Sequence, residues 1–294
     1  MELRHLNAFL AVAEELHFGR AAARLHVAQP SLSAHLQRLE RDVGVRLVAR
    51  NSHDVRLTPA GTAFLPLARD VVDRLARAAE TARAVDAGRV GTVRVGYNFP
   101  AGQRILPDLL ATLGRRYPAV DVDLVELRTG PQLAALMDGR LDVAMVYGRP
   151  AGTELASRLL LRVPLVAVVG TGHRWAGRER VPFGELATET CVLFRRAQSS
   201  AMYDAIQSAA RTSGIRLTVA EEVDDPGATA ILVAAKPIVG FASALRGRLA
   251  PGARTAAVAL YDPVPILELH AVWRTDRGPA VDAFVDCLPP SLQP

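Results

Sequence analysis

Gln29-Pro30-Ser31-Leu32-Ser33-Ala34-His35-Leu36-Gln37-Arg38-Leu39-Glu40-Arg41-Asp42-Val43-Gly44 is the stretch on which the reading of this chain turns. Leu32, Leu36, Leu39 and Val43 recur at three and four residues, so the spacing predicts a helix with one buried side. Pro30 suits its first turn, where the missing N–H costs nothing, and Gly44 ends it. The other side carries Ser31, Ser33, Ala34, Gln37 and Arg38, short groups near the N-terminus and a long cation further along. Such a face suits a helix pushed end-first into a major groove, where hydroxyls and amides reach phosphates and base edges. It also suits an ordinary solvated helix, and the neighbouring sequence has to decide.

Upstream, Leu3, Leu6, Phe9, Leu10 and Ala13 mark an amphipathic helix that stops near His17-Phe18-Gly19. Gly19 is the expected N-cap of a second short helix, Arg20 to Leu25, whose Ala21-Ala22 pair lets another helix approach. Downstream, Val45 to Arg50 and Val55 to Thr58 form two short strands around the polar tip Asn51-Ser52-His53-Asp54, a hairpin wing beside the helices. Thr58 then caps, and Pro59 begins, a helix running to about Asp86 and ended by Gly88. Phe64, Ala68, Val71, Leu75, Ala78, Ala82 and Val85 alternate by four and three, a heptad seam that implies a dimer, although a helix packed along its own chain would share the pattern. Pro66 removes one backbone hydrogen bond and predicts a kink.

Charge follows the same division. Residues 17–60 hold seven arginines against three acids, most of the net +5 of the whole chain, as expected of a surface that meets a phosphate backbone. His5, His17, His26, His35 and His53 are scattered without metal-ligand spacing, so no zinc site is expected, and no cofactor. The 294 residues suffice for two domains with their own cores. Cys191 and Cys287 lie far apart and match no redox or metal spacing, which fits core residues in a reducing compartment. No apolar run reaches membrane-spanning length and the N-terminus lacks a signal-peptide layout, so a cytoplasmic protein without a membrane partner is expected.

From residue 90 apolar strands alternate with amphipathic helices: Thr92–Tyr97, Val120–Leu127 and Val143–Tyr147, then a second set from Leu165–Val169 through Cys191–Phe194, Leu217–Glu222 and Ile238–Phe241, then Leu267–Trp273. This is βα organisation, an α/β fold with a largely parallel sheet. In such a layer helix N-termini follow strand ends and converge on one crevice, favouring an anion. Thr129, Ser199, Ser200 and Thr229 sit at helix starts there, each a plain N-cap or a ligand contact.

Taken together, Ala21-Ala22-x-x-Leu25, Gln29-Pro30-Ser31-Leu32-Ser33, Leu39-Glu40 and Leu57-Thr58-Pro59-Ala60-Gly61 closely resemble the LysR-type transcriptional regulators, over the whole chain. The resemblance implies an N-terminal all-α winged helix-turn-helix (residues 1–58), a dimerising linker helix (59–88) and a two-subdomain effector domain similar to periplasmic binding proteins (89–294). Subdomain I would comprise 89–163 and 264–294 and subdomain II 164–263, with crossings near Arg162–Pro164 and Asp262–Pro265. It implies DNA contacts by Gln29, Pro30, Ser31, Ser33, Ala34, Gln37, Arg38, Arg50, His53 and Arg56. An effector would lie among Asn98, Phe99, Pro100, Ala101, Thr129, Tyr147, Phe194, Ser199, Ser200, Thr229 and Phe241. The implied partners are double-stranded DNA, a second copy in a homodimer or homotetramer, a small effector that is a carboxylate, and RNA polymerase as a candidate.

Departures from the family pattern carry consequences. Ala34 stands where relatives commonly have arginine, so one bidentate guanine contact is missing, about 1–3 kcal/mol of discrimination at one base pair. Ser52-His53-Asp54 puts no permanent positive charge at the wing tip, leaving backbone affinity to Arg38, Arg50 and Arg56 and a shallow salt dependence. In the cleft, Pro100 replaces a usual hydroxyl and leaves Asn98 as the polar candidate, while Lys236 replaces a usual glycine and is expected to be solvated. Two other readings make different demands on the sequence. A solute-binding or enzymatic α/β domain would need a nucleophile and base or a metal cluster, and His173, in what resembles a surface loop, supplies neither. A thiol-based regulator would need a convincing cysteine pair.

Overall fold

Three helices open the chain: α1 (Leu3–Glu15), α2 (Phe18–Arg24) and α3 (Gln29–Val43). The buried face of α1 is His5, Leu6, Ala8, Phe9, Ala11 and Val12, so the inner stripe is turned away from the one predicted. Leu3 is exposed and Leu10 and Ala13 are only half-buried, because α1 packs against α2, α3 and a fourth helix at once. The N-cap of α2 is His17 rather than Gly19. Its Nδ1 accepts from the amides of Gly19 (3.0 Å) and Arg20 (3.3 Å), satisfying two helix-end donors that a glycine would leave to water. In α3, Leu32, Leu36 and Leu39 are fully buried, Pro30 lies in the first turn and Gly44 closes the helix.

A knot of backbone contacts then turns the chain into the wing. Glu40 accepts from the amides of Leu47 (2.9 Å) and Val48 (3.0 Å) through one oxygen. Thr58 donates its amide to the Leu47 carbonyl (2.9 Å) and its hydroxyl to that of Arg46 (2.7 Å), while the hydroxyl accepts from Gly61 (3.0 Å). With residues 46–47 so engaged, the hairpin begins only at Val48: β1 (Val48–Asn51) pairs antiparallel with β2 (Asp54–Leu57). Gly61 is required here, because a Cβ would sit 2.0 Å from the Leu47 carbonyl oxygen.

Helix α4 (Pro59–Asp86) is continuous through Pro66. The predicted seam divides in two. Ala68 is buried in the head core and Phe64 meets Phe9 edge-on at 5.5 Å, so these two hold α4 to α1. The exposed apolar ridge is Leu67, Val71 and Leu75, continued by Ala78 and Ala82, still at four- and three-residue spacing. The side chain of Val85, and Gly88, lie outside the described residues, which are all but 52–53, 87–90, 151, 250–253 and 292–294, together with some side chains near those gaps.

Met1–Ala87 and Gly88–Pro294 form separate units. The second comprises β3 (Gly91–Tyr97), α5 (Phe99–Arg104), α6 (Leu106–Arg116), β4 (Val120–Glu126), α7 (Thr129–Met137), β5 (Val143–Tyr147), β6 (Leu155–Gly170), β7 (Arg180–Pro182) and a 3-10 turn at Phe183–Thr188. It continues with β8 (Thr190–Phe194), α8 (Ser200–Thr212), β9 (Thr218–Val223), α9 (Pro226–Ala235), β10 (Gly240–Ser243), α10 (Ala244–Leu249), β11 (Thr255–Tyr261), β12 (Ile266–Arg274) and α11 (Pro279–Asp286). The sheet is mixed rather than largely parallel. Its order is β4-β3-β5-β12-β6-β11-β7, with β10 also on β6 and β8–β9 as a separate parallel pair. Strands β3, β4 and β5 run parallel, but β12 is antiparallel to β5 and β6, and β10 and β11 are antiparallel to β6.

Residues 162–164 lie inside β6, a single 16-residue strand. Its first part pairs with β12 and sends Leu160, Leu161 and Val163 into one core; its second part lies between β10 and β11 and sends Leu165, Ala167 and Val169 into another. Pro164, which has no N–H for a ladder, stands at the change of partners. His173 lies in the largely exposed turn of residues 171–177, but its ring points inward. Its side chain is 4% exposed, bonds Glu189 (3.2 Å) and packs against Trp175.

Two outcomes test this packing. Glu40→Ala leaves the buried Leu47 and Val48 amides without their acceptor and should cost about 1–3 kcal/mol, measured as a lowered denaturation midpoint, with Glu40→Gln losing less. Cys191 is buried in β8, and burial, followed by the charge of Glu189, pushes its thiol up to about 12. The thiol therefore stays protonated in the folded chain well above neutral pH, and iodoacetamide at pH 8.5 should label it only after denaturation, as read by mass spectrometry.

Candidate functional site

In the first unit, the helix-turn-helix leaves one face of α3 open. Gln29, Pro30, Ser31, Ala34, Gln37 and Arg38 are exposed there and Ser33 is half-buried. Arg38 lies 3.2 Å from Asp42, whose carboxyl is held below its ordinary range by the N-terminal amino group at 2.8 Å and then by Arg38. Arg56 is exposed on β2, while Arg50 pairs through its backbone with Val55; the Arg50 side chain and all of His53 lie outside the described residues. The charge surplus counted over residues 17–60 is partly cancelled from outside that window. Arg24 pairs with Glu14 (2.5 Å) and Arg20 with Glu15 (3.2 Å), both on α1. Among the described residues Arg41, Arg46 and Arg56 have no carboxylate partner.

In the second unit a cleft opens between the two cores. Eight of the residues expected there line it: Asn98, Phe99, Pro100, Thr129, Tyr147, Phe194, Ser199 and Phe241. Three do not. Ala101 is buried within α5, donating its amide to Asn98 Oδ1 (3.2 Å); Ser200 opens α8 but does not line the cleft; Thr229, buried in α9 against Gly240, lines a neighbouring cavity. None of the hydroxyls caps a helix. Thr129 is the first residue of α7 and its Oγ1 accepts from the Tyr147 amide (3.2 Å), the N-cap of α9 is Asp225, and Ser199 Oγ is buried without a protein partner. Lys236 is exposed, ion-paired with Glu221 and away from the cleft.

The charged lining was missed from sequence. Glu126, Arg128 and Arg246 reach the cleft from the end of β4, the start of α7 and α10. Arg246 bonds Glu126 (3.2 Å) and lies over the Phe99 ring at 4.3 Å; Arg128 donates to the Asp224 carbonyl (3.1 Å) and lies 5.9 Å from the Phe194 ring centre. Burial, then the charge of Arg246, lowers the Arg128 pKa, and burial pushes the Tyr147 phenol up to about 12. The two sides also meet where Gly130 donates to Gln198 (3.1 Å); a Cβ on Gly130 would stand 2.0 Å from the Ala197 carbonyl oxygen. Sequence offered a signal for Arg128, which directly precedes Thr129, and none for Arg246, whose helix was not expected.

Known proteins share the sequence pattern and the fold. Residues 3–62 match the family model for bacterial regulatory helix-turn-helix proteins of the lysR family, and residues 86–293 match the LysR substrate binding domain. The chain is 36% identical over 275 residues to the uncharacterised HTH-type transcriptional regulator YnfL of Escherichia coli, covering 92% of this chain and 90% of that one. It is 34% identical over 282 residues to the HTH-type transcriptional regulator IlvR of Caulobacter vibrioides, covering 95% and 94%. Among solved structures, full-length CbnR complexed with its target DNA superposes with a TM-score of 0.81 at 26% identity, covering 98% of this chain and 99% of that one. The open face of α3, the wing and the two-cored α/β unit thus belong to a chain of the LysR family, a DNA-binding transcriptional regulator.

Proposed function

We propose that the chain is a sequence-specific, effector-responsive regulator that works by binding and not by catalysis. Residues 1–58 read DNA, 59–88 dimerise and 89–294 sense a small anion between subdomain I (89–163 and 264–294) and subdomain II (164–263). The observation that carries the DNA reading is the exposed face of α3, with Gln29, Pro30, Ser31, Ala34, Gln37 and Arg38 open to solvent and Ser33 beside them. Arg50, His53 and Arg56 of the wing would hold the adjacent backbone. The crystal structure of the related CbnR on its target DNA supports this use of the fold.

The exposed ridge of α4, Leu67, Val71 and Leu75, supports a homodimer whose paired heads read an inverted repeat. Tetramers would need further contacts through the second unit. Asn98, Phe99, Pro100, Thr129, Tyr147, Phe194, Ser199 and Phe241 would surround the effector, a carboxylate, aromatic in keeping with the rings in the walls. Its binding would shift the two halves and change the spacing of the heads, by no more than its differential affinity for the two arrangements allows. Such a protein acts where the DNA is, in the cytoplasm, with RNA polymerase as the partner met at a promoter. No helix among the described residues is long and apolar enough to cross a membrane.

Two experiments bear on this. In gel shifts with the DNA upstream of its own gene, the wild-type chain should bind in a salt-sensitive manner, and Ser33→Ala with Arg50→Ala should weaken binding by about tenfold or more. Salt-insensitive binding, or none, would count against the DNA reading. Val71→Glu with Leu75→Glu should convert a sedimenting dimer to monomer; an unchanged sedimentation coefficient would place the dimer contact elsewhere.

A further inference from the structure

One carboxylate of the first unit joins three helices. Glu14, near the C-terminal end of α1, takes Arg24 of α2 on one oxygen at 2.5 Å and Arg69 of α4 on the other at 2.6 Å. Hydrogen bonds from Arg69 and then Arg24 hold its carboxyl below the ordinary range, so it stays ionised through neutral pH. The two arginines differ in what else they hold. Arg24 also lies 3.6 Å from Glu15, whereas among the described residues Glu14 is the one carboxylate paired with Arg69. Arg69 stands where α4 leaves the head: Phe64, Leu65, Ala68 and Val72 pack into the core of the first unit, and no described residue of α4 beyond Val72 does. The exposed ridge of Leu67, Val71 and Leu75 begins at the same place.

The apolar and the ionic contacts at this joint do different things. Burial of Phe64 and Ala68 is non-directional and supplies the attraction that keeps α4 on α1. Charge-assisted hydrogen bonds to the two oxygens of one carboxylate are directional, and they fix the heading of α4 against both α1 and α2. The three side chains are partly open to water, so the clamp adds little stability. A small change of heading matters, because with two α4 ridges paired the angle between each head and its stalk sets the separation of the two α3 helices. A turn of about 10° moves a point one α3 length away, about 22 Å for 15 residues, by about 4 Å, close to the ~3.4 Å rise of one base pair. We infer that Glu14, through Arg69, is a positioning residue that selects the spacing between operator half-sites. The inference rests on the reading of the chain as an α4-paired dimer on an inverted repeat and adds the residue that sets its geometry.

Gel shifts of the full-length chain at fixed salt test the assignment, on duplexes from the DNA upstream of its own gene with one or two base pairs added or removed between the footprinted half-sites. Wild type should bind the native spacing at least about tenfold more tightly than the altered ones. Glu14→Gln keeps the shape of the side chain but loses its charge and one acceptor oxygen. It should hold native-spacing affinity within about threefold and reduce the preference to about threefold or less, with the head still folded by circular dichroism. Arg69→Gln, which leaves Glu14 its bond to Arg24, should do the same and carries the test if Glu14→Gln does not fold; the double variant should go no further. If either folded single variant keeps the wild-type preference, whether or not overall affinity falls, or if the two effects add, Glu14 does not position α4 while the dimer reading stands. If wild type binds all spacings alike, paired reading of an inverted repeat fails and takes the assignment with it; if it binds none of the duplexes, the DNA reading fails as well.

Discussion

The effector unit depends on one strand satisfying two sets of partners. β6 gives its first ten residues to β12 and its remainder to β10 and β11, and its side chains enter two separate cores on the way. A strand in register on both sides cannot slip without turning each core residue to the wrong face. The two halves are therefore fixed along β6 yet share little else of their interiors. Space between them, rather than a continuous core, is the result, and that space is the cleft.

The contacts that cross the cleft are polar, few and near its lining: Gly130 to Gln198, Arg128 to Asp224 and Arg246 to Glu126. Partly exposed hydrogen bonds and ion pairs of this kind contribute little net stability, because water competes for the same groups. They hold one arrangement of the halves without committing the protein to it. An anion that takes over any of these groups changes their balance directly, which gives a binding event at the cleft a physical route to a shift of the halves.

In the first unit the same economy appears in the turn from α3 to the wing. A single carboxylate, Glu40, receives two amides, and a single threonine, Thr58, secures two carbonyls and the start of α4. These contacts are polar but belong to a packed junction, since Leu47 and Val48 are buried beside them. They also explain why Leu39-Glu40 and Leu57-Thr58-Pro59-Ala60-Gly61 are such telling stretches of sequence: each residue in the knot answers to a specific backbone atom. Electrostatics in this unit are more restrained than a local count suggests, because Glu14 and Glu15 of α1 hold Arg24 and Arg20.

Local signals were sufficient where one helix or one turn settles the matter. The buried leucines of α3, its first-turn proline, the cap at Thr58 and the alternation of strands and helices after residue 90 all follow from spacing and capping within a few residues, and all are present. Motifs spread along the chain identified its family, and eight of eleven expected cleft residues line the cleft. Spacing could not tell that Phe64 and Ala68 turn inward to the head while Leu67 joins the exposed ridge, because a heptad pattern records that a helix has an apolar side and not which body covers it. Nor could it tell that β12 returns antiparallel into the sheet, or that Arg246 meets Glu126 across 120 residues of sequence. Sequence alone determined the buried leucines of α3, the cap at Thr58 and the kind of protein; only the tertiary structure decided which charges share the cleft, because Coulomb energy depends on distance in space and the chain order of Arg128, Glu126 and Arg246 says nothing of that.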